Sequence, residues 1–419
     1  MGEDEEEKQE IWSWGAGTDG QLGTCKLQDE HFPQLLHLPS LSSAGPISML
    51  ACGGAHVIAL TSVGKVLTWG RGTSGQLGHG DTVNNPHPKP VVFSESCFVT
   101  HVSAGWNHSG FVSGLFFFFF SSFAAWKFKI FTYGGSVFTC GDGSFGQLGH
   151  GDFKFHCSPV KVSYFVNKHV EQIACGMRHS IVLLKGHSGD QVYAFGSGKR
   201  GQLGISKGRV NSVCLPEVTC GLEDVEIVSI AANGDHSAAL STDGRLYTWG
   251  KGFNGTTNAF CPVCVPESLC FTEVALGWNH ALLLTGDGEA IMLGGNNHGV
   301  LSNPDKMSSV KQLQDSRGAN LERVPALEGK KVLHIAAGAE HSALITEDGV
   351  IRSWGWGEHG QLGLGNTCDQ MRPEVVILSQ DVHKEATKIK VYCGSGFTIV
   401  LRSLLKPQPS NAEVLRGRP

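Results

Sequence analysis

The sequence predicts an all-β fold: a seven-bladed β-propeller of four-stranded blades, its ring closed by N- and C-terminal strands. Three observations predict it. A glycine-rich signature recurs seven times, a histidine signature recurs seven times in strict alternation with it, and a hairpin pattern of near-constant length links them. Glycine supplies 56 of the 419 residues, against about 29 expected at an average usage of roughly 7%.

The first signature reads WGxGxxGQLG. It is complete at Trp14, Trp69 and Trp354; Cys140 and Phe195 replace the Trp; Trp249 keeps the first half; Leu293 begins the weakest copy. The second is roughly A-x-G-x-x-H-[ST]. It ends at His56, His108, His179, His236, His280 and His341, and its seventh copy ends at Phe397. From His to the next Trp position the gap is 13 in four copies, 16 from His179 to Phe195, and 32 from His108 to Cys140.

The stretch HSAALSTDGRLYTW, residues 236–249, shows the content of the constant gap: apolar alternation, Asp-Gly, alternation again. That pattern predicts a β-hairpin with a tight primed turn. Asp243-Gly244, Asp287-Gly288 and Asp348-Gly349 fill it. The glycine-rich signature and a Pro-x-x-V segment, as at Pro373–Val376, supply the remaining turns and strand. Four short strands per unit, repeated seven times, make a propeller. Period-2 patterning and abundant glycine exclude helical solenoids.

The repeats fall near residues 11–61, 65–113, 136–184, 191–241, 245–285, 289–346 and 350–402, between an acidic disordered tail (1–10) and a disordered tail (403–419). The fifth is short: Trp249 to His280 spans 31 residues where the others span 39–48. Its outer strand is expected to be short or missing, leaving an edge open to docking. Residues 114–135 are anomalous: a Phe-rich run stands where a tight turn belongs. Joining Ser113 to about Gly135 restores a normal repeat, and five consecutive Phe suggest a thymine-rich tract carried in by a gene-model error. A natural hairpin-tip insertion and a membrane-touching loop are the alternatives.

The net charge is −5, and residues 1–10, with six acids and one base, account for all of it. No basic arm favours nucleic acid. The N-terminus is not basic-then-apolar. The apolar run Leu115–Phe120 is far below the ~20 residues of a membrane span. Thirteen scattered cysteines suit a reducing compartment, cytoplasm or nucleus. Cys261 and Cys264 form a CxxC with no second pair at zinc spacing, so neither metal nor cofactor is expected.

GxGxxG begins at Gly15, Gly70, Gly141, Gly196, Gly250 and Gly355. A dinucleotide site needs strand, loop and helix in a βαβ unit, which six tandem copies without helices cannot supply. These glycines are read as blade-corner geometry. The six histidines recur at equivalent positions on different blades and are read as structural, each fixing a loop through a ring N–H. The pair preceding each His varies instead. Its most recognition-competent members, Trp106, Asn107, Arg178, Asp235, Trp278, Asn279 and Glu340, are the candidate partner-binding residues. Trp106 and Trp278 lie three blades apart. No nucleophile elbow, HExxH or Walker lysine points to catalysis.

Residues ~11 to ~402, by the order and period of the two signatures, resemble the regulator-of-chromosome-condensation repeat family. They are most similar in style to plant paralogues of its UV-B receptor. The resemblance implies the seven-bladed ring, with the strand at Ile11 to Trp14 beside the last blade. It implies three functions: a non-catalytic protein-interaction platform, guanine-nucleotide exchange on a Ran-type small GTPase, or UV-B perception. The family's exchange member carries a protruding hairpin wedge and a basic N-terminal tail, and neither is matched here. The UV-B receptor carries Gly-Trp-Arg-His-Thr motifs on neighbouring blades. Here Asn follows both Trp106 and Trp278, and Arg178 is the one Arg at the pair. The platform reading is therefore favoured, with a protein partner and small GTPases among the candidates.

Overall fold

A computed structural model describes residues 8–37, 39–114, 135–186, 189–205, 210–252, 258–265, 269–294, 313–314, 320–378 and 386–404. Seven antiparallel sheets form the ring. Blade 1 is assembled from both ends of the chain: Ala386–Cys393, Phe397–Leu404, Lys8–Gly15 and Glu30–Leu35, from hub to rim. Blade 2 runs Ile47–Cys52, His56–Thr61, Val66–Gly70 and Asn85–Pro90. Blades 3, 4, 5 and 7 begin at Phe98, Val170, Ile227 and Val332 and repeat the same order. Blade 6, from Phe271, adds a two-residue fifth strand, Leu313–Gln314.

Burial follows from strand position. In blades 2 to 7 the second strand is buried along its whole length, polar His and Ser or Thr included, as in His179–Leu184 and His341–Thr346. Outer strands are mostly open to solvent, as in Gln370–Val376, where only Pro373 and Val376 are buried. The largest buried side chains sit between blades, Trp14, Trp69, Trp249 and Trp354 among them.

Ring closure exceeds the expected boundary. Lys8, Gln9 and Glu10, assigned to the acidic tail, pair with Leu404, Ser403 and Arg402, two of which were assigned to the C-terminal tail. The seam between the chain ends gains from every added ladder bond, and Gln9 extends it sideways: its amide donates to the Ile47 carbonyl (3.0 Å) and accepts the Ile47 N–H (2.7 Å). Blade 5 differs from the sequence reading as well. Its outer strand, Ala259–Cys264, is present and pairs with Leu246–Gly250, so the missing residues come out of the connections.

The hairpin turns also differ. Gly244, Gly288 and Gly349 have positive φ, but their aspartates do not. The Gly244 N–H reaches the Ser241 carbonyl (3.0 Å), and the Ser241 hydroxyl meets both Asp243 Oδ1 (2.5 Å) and the Arg245 N–H (3.0 Å). The loop is thus three residues with glycine in the left-handed position, not a two-residue primed turn. A short helix, Pro39–Ala44, had no signal in the sequence. In blade 3, Ser113 pairs directly with Ser136; residues 115–134 between them lie outside the described residues.

Candidate functional site: the hub-turn face and the relay beneath it

Strand register places the functional elements on two faces. His56 pairs with Gly70 and His108 with Gly141, so the histidine turns and the WGxGxxG loops emerge at one end of the ring. The Asp-Gly hairpins, the Ser113–Ser136 closure and the Lys8–Leu404 strand ends emerge at the other.

Below the first face runs a buried relay. His56 Nε2 meets Ser109 Oγ of the next blade (2.9 Å), His108 meets Ser180 (2.9 Å), His179 meets Ser237 (2.8 Å), His280 meets Ser342 (3.0 Å) and His341 meets Thr398 (3.0 Å). The hydroxyls of Ser109, Ser180, Ser237 and Thr398 donate in turn to the carbonyls of Gln76, Gln147, Gln202 and Gln361, at 2.7–2.9 Å. A hydroxyl has one proton, so in these pairs it accepts from the imidazole, which fixes the Nε2–H tautomer. Burial, aided by neighbouring histidines, pushes His56, His179 and His280 down to about 3 from 6.5. Burial takes His108 and His341 to about 4.

Two of these carbonyls, and that of Gln21, receive indoles. Trp249 Nε1 donates to Gln202 O (2.9 Å), Trp14 to Gln361 O (2.8 Å) and Trp69 to Gln21 O (3.0 Å). Each Gln side chain closes its own turn: Gln76 Oε1 accepts the Ser74 N–H (2.9 Å) and Gln147 Oε1 the Phe145 N–H (2.8 Å). Both glycine classes serve this arrangement. Gly70 has φ +103°, and a Cβ there would lie 2.5 Å from the Ala55 carbonyl oxygen. Gly15, Gly141, Gly196, Gly250 and Gly355 share that conformation at φ +100 to +108°. In five of the six motifs the glycine three residues before His carries the ring: a Cβ on Gly53 would lie 2.5 Å from His56 Cε1, whereas Asn233 takes that place before His236.

Above this layer lie the variable residues. Trp106 and Trp278 meet at the hub, ring centroids 5.2 Å apart and tilted 55°. They help line a central cavity of about 70 Å³ to which all seven blades contribute. Trp106 packs on Gly54, where a Cβ would approach its ring to 2.9 Å. Asn279 bridges Lys251 Nζ (2.5 Å) and Glu340 Oε1 (2.9 Å), joining blades 5, 6 and 7. Asp235 accepts from Gln202 Nε2 (2.9 Å). The Arg178 guanidinium is exposed over the Phe145 ring, 4.9 Å from its centroid. Asn107 Oδ1 is buried with no hydrogen-bond partner among the described residues, and the Asn107 backbone carbonyl accepts the Asp142 N–H (2.8 Å). The face thus joins an aromatic pair at the centre to a polar, charged ring around it.

Sequence reasoning missed half of that ring. The variable positions inside WGxGxxG stand beside those preceding His: Arg71 pairs with Asp19 (2.6 Å), Phe145 supports Arg178, and Lys251 holds Asn279. His359 Nδ1 lies 2.9 Å from Asp29 Oδ2, and Trp356 packs edge-on against it. Their variability against fixed glycines was the available signal. Among the described residues, no group of three or more His, Cys, Asp or Glu could hold a metal ion, and no helix is long and apolar enough to cross a membrane.

Fold and relay together define a repeat propeller whose blades are pinned pairwise around a shared hub. Residues 120–400 match the RCC1-like domain, and residues 9–60 and 63–112 match the regulator of chromosome condensation (RCC1) repeat. The chain belongs to this family. It is 29% identical over 364 residues to the ultraviolet-B receptor UVR8 of Arabidopsis thaliana, covering 85% of this chain and 74% of that one. It is 28% identical over 419 residues to the secretion-regulating guanine nucleotide exchange factor of Bos taurus, covering 94% and 83%. Among solved structures, human WBSCR16 superposes with TM-score 0.74 at 24% identity, covering 94% of this chain and 99% of that one. Yeast Prp20, seen bound to Kap60, gives 0.76 at 23%, covering 98% and 91%. Both show the fold.

Proposed function

We propose that this chain is a non-catalytic protein-interaction platform of the cytoplasm or nucleus, and that the hub-turn face receives the partner. One observation carries the reading: a uniform buried relay supports a layer of chemically diverse side chains centred on the Trp106–Trp278 pair. Large aromatics ringed by charge are the composition of binding hot spots. Trp106, Asn107, Arg178, Asp235, Trp278, Asn279 and Glu340 form the proposed contact set, with Arg71, Lys251 and Trp356 added. Comparative affinity capture tests it: partners held by the intact chain are expected to be lost from Trp106→Ala/Trp278→Ala and kept by Arg245→Ala on the opposite face. Retention by the double variant contradicts the reading.

Guanine-nucleotide exchange on a small GTPase is the second reading, supported by the near full-length similarity to the bovine exchange factor. It requires faster release of labelled GDP from a Ran-type GTPase at catalytic amounts of this protein. An unchanged release rate removes it.

A further inference from the structure

The outermost strand of each blade has a single ladder neighbour. What holds it sideways is the contact with the preceding blade's loop. At the seam between blades 1 and 2, Cys25 Sγ lies 3.3 Å from His87 Nδ1 of the outer strand. Leu215 takes the corresponding position in blade 4, where it approaches Gly151 of blade 3. At the seam between blades 4 and 5 both contacting residues are cysteines: Cys220 and Cys261, their sulfurs 3.2 Å apart.

Both residues are half-buried, so small molecules can reach them. Cys220 follows the outer strand Ser212–Val218, and its thiol donates to the Gly204 carbonyl (2.9 Å). Cys261 sits where the blade 5 ladder is interrupted, between Ala259 opposite Gly250 and Val263 opposite Thr248. Its apparent partner in sequence, Cys264, is three residues along a strand. Strand alternation turns it to the opposite face, where its thiol meets the Val265 carbonyl (3.2 Å). The CxxC is thus split by the fold, and the chemically meaningful pair is 41 residues apart.

We propose that Cys220 and Cys261 are a thiol–disulfide site, closing reversibly into an inter-blade disulfide when a small-molecule disulfide such as glutathione disulfide is abundant. Cys220, as thiolate, attacks one glutathione sulfur; the S–S bond of glutathione disulfide breaks and one glutathione thiolate leaves. The Cys261 thiolate then attacks Cys220 Sγ, forming the protein disulfide and expelling the second glutathione. Two protein thiols lose two electrons and two protons, and two molecules of reduced glutathione carry them away. Burial and the adjoining thiol push Cys261 up to about 11, which makes it the poorer first nucleophile and leaves it the second, intramolecular step. Contact with Cys220 there replaces a high thiolate fraction by proximity. The bond would tie Ala259–Cys264 to blade 4 at the point where its own ladder is broken.

The test equilibrates the full chain in glutathione buffers from reducing to oxidising, quenches with an alkylating agent, and maps peptides by mass spectrometry. The expected product is a Cys220–Cys261 linked peptide, about 2 Da lighter than the two reduced peptides together. It should vanish in Cys220→Ser and in Cys261→Ser, persist in Cys264→Ser, and reverse with excess reduced glutathione. Full alkylation of both residues at the oxidising end, stable mixed disulfides with glutathione on either, or linkage of Cys261 to another cysteine would each overturn the proposal.

Discussion

The seam between blades 4 and 5 and the seam between blades 5 and 6 solve one problem in two ways. At the first, His179, Ser237, Trp249 and the Gln202 carbonyl form the complete relay, and the Met177 N–H reaches the Gly234 carbonyl (2.9 Å). At the second, Ala281 stands in the serine position and blade 5 has no GQLG. His236 Nε2 turns to the Trp278 carbonyl (2.7 Å), Asn233 Nδ2 takes the Leu276 carbonyl (2.5 Å), and the Gly234 N–H folds back on Asn233 Oδ1 (2.7 Å). The His donor therefore depends on the hydroxyl that the next blade offers. When that acceptor disappears, the donor is rerouted to backbone and a side-chain amide fills in. The seam between blades 1 and 2 shows the apolar version: Phe397 replaces His and Val57 replaces Ser, and the Trp69–Gln21 bond remains.

Acid should break the relay seams hardest. The unfolded chain protonates its histidines below about pH 6.5, whereas five relay histidines hold out to about 3–4 in the fold. Stability is thus complete above pH 6.5 and declines as pH falls from there toward 4. Each group contributes about 1.4 kcal/mol per unit of pH across that window. Urea unfolding at a series of pH values should show uptake of several protons on unfolding; a flat profile between about pH 7 and 5 would contradict the neutral, buried assignment.

Removing the shared indole is next. Trp14, fully buried and bonded to Gln361, should cost about 3–5 kcal/mol on Trp14→Ala, read by chemical denaturation. Ser237→Ala strands both His179 and one lone pair of Gln202 and should cost about 1–3 kcal/mol. Ala281→Ser at the neighbouring seam, where His236 already meets the Trp278 carbonyl, should bring no gain. A stabilised Ala281→Ser would show that a hydroxyl alone restores the relay bond. Smallest is Arg71→Ala: its ion pair with Asp19 is partly exposed, so thermal denaturation should register under about 1 kcal/mol.

Much of the scaffold was legible because the relay dictates residue identity. His needs the glycine that carries its ring, and Gln needs the turn it closes, so both repeat visibly. The serine after four of the six motif histidines was visible as well, but its partner was not. The bond serves the preceding blade, 53 residues away for His56 and Ser109 and 72 for His108 and Ser180. The Trp106–Trp278 contact was illegible for a related reason. Spacing placed them three blades apart, and only closing the ring brings both indoles to the hub. The outer strand of blade 5 was misjudged because length was taken from strands when it had been removed from loops.

The central claim is that recognition belongs to the variable layer and stability to the relay beneath. The most direct test measures, for one captured partner, its affinity for the intact chain, for Trp106→Ala/Trp278→Ala and for Arg245→Ala/Lys330→Ala, with thermal midpoints alongside. Binding should weaken at least about tenfold, roughly 1.4 kcal/mol, in the hub-face variant alone, with its midpoint near that of the intact chain. Undiminished binding by that variant, or loss in the opposite-face variant, would contradict the account.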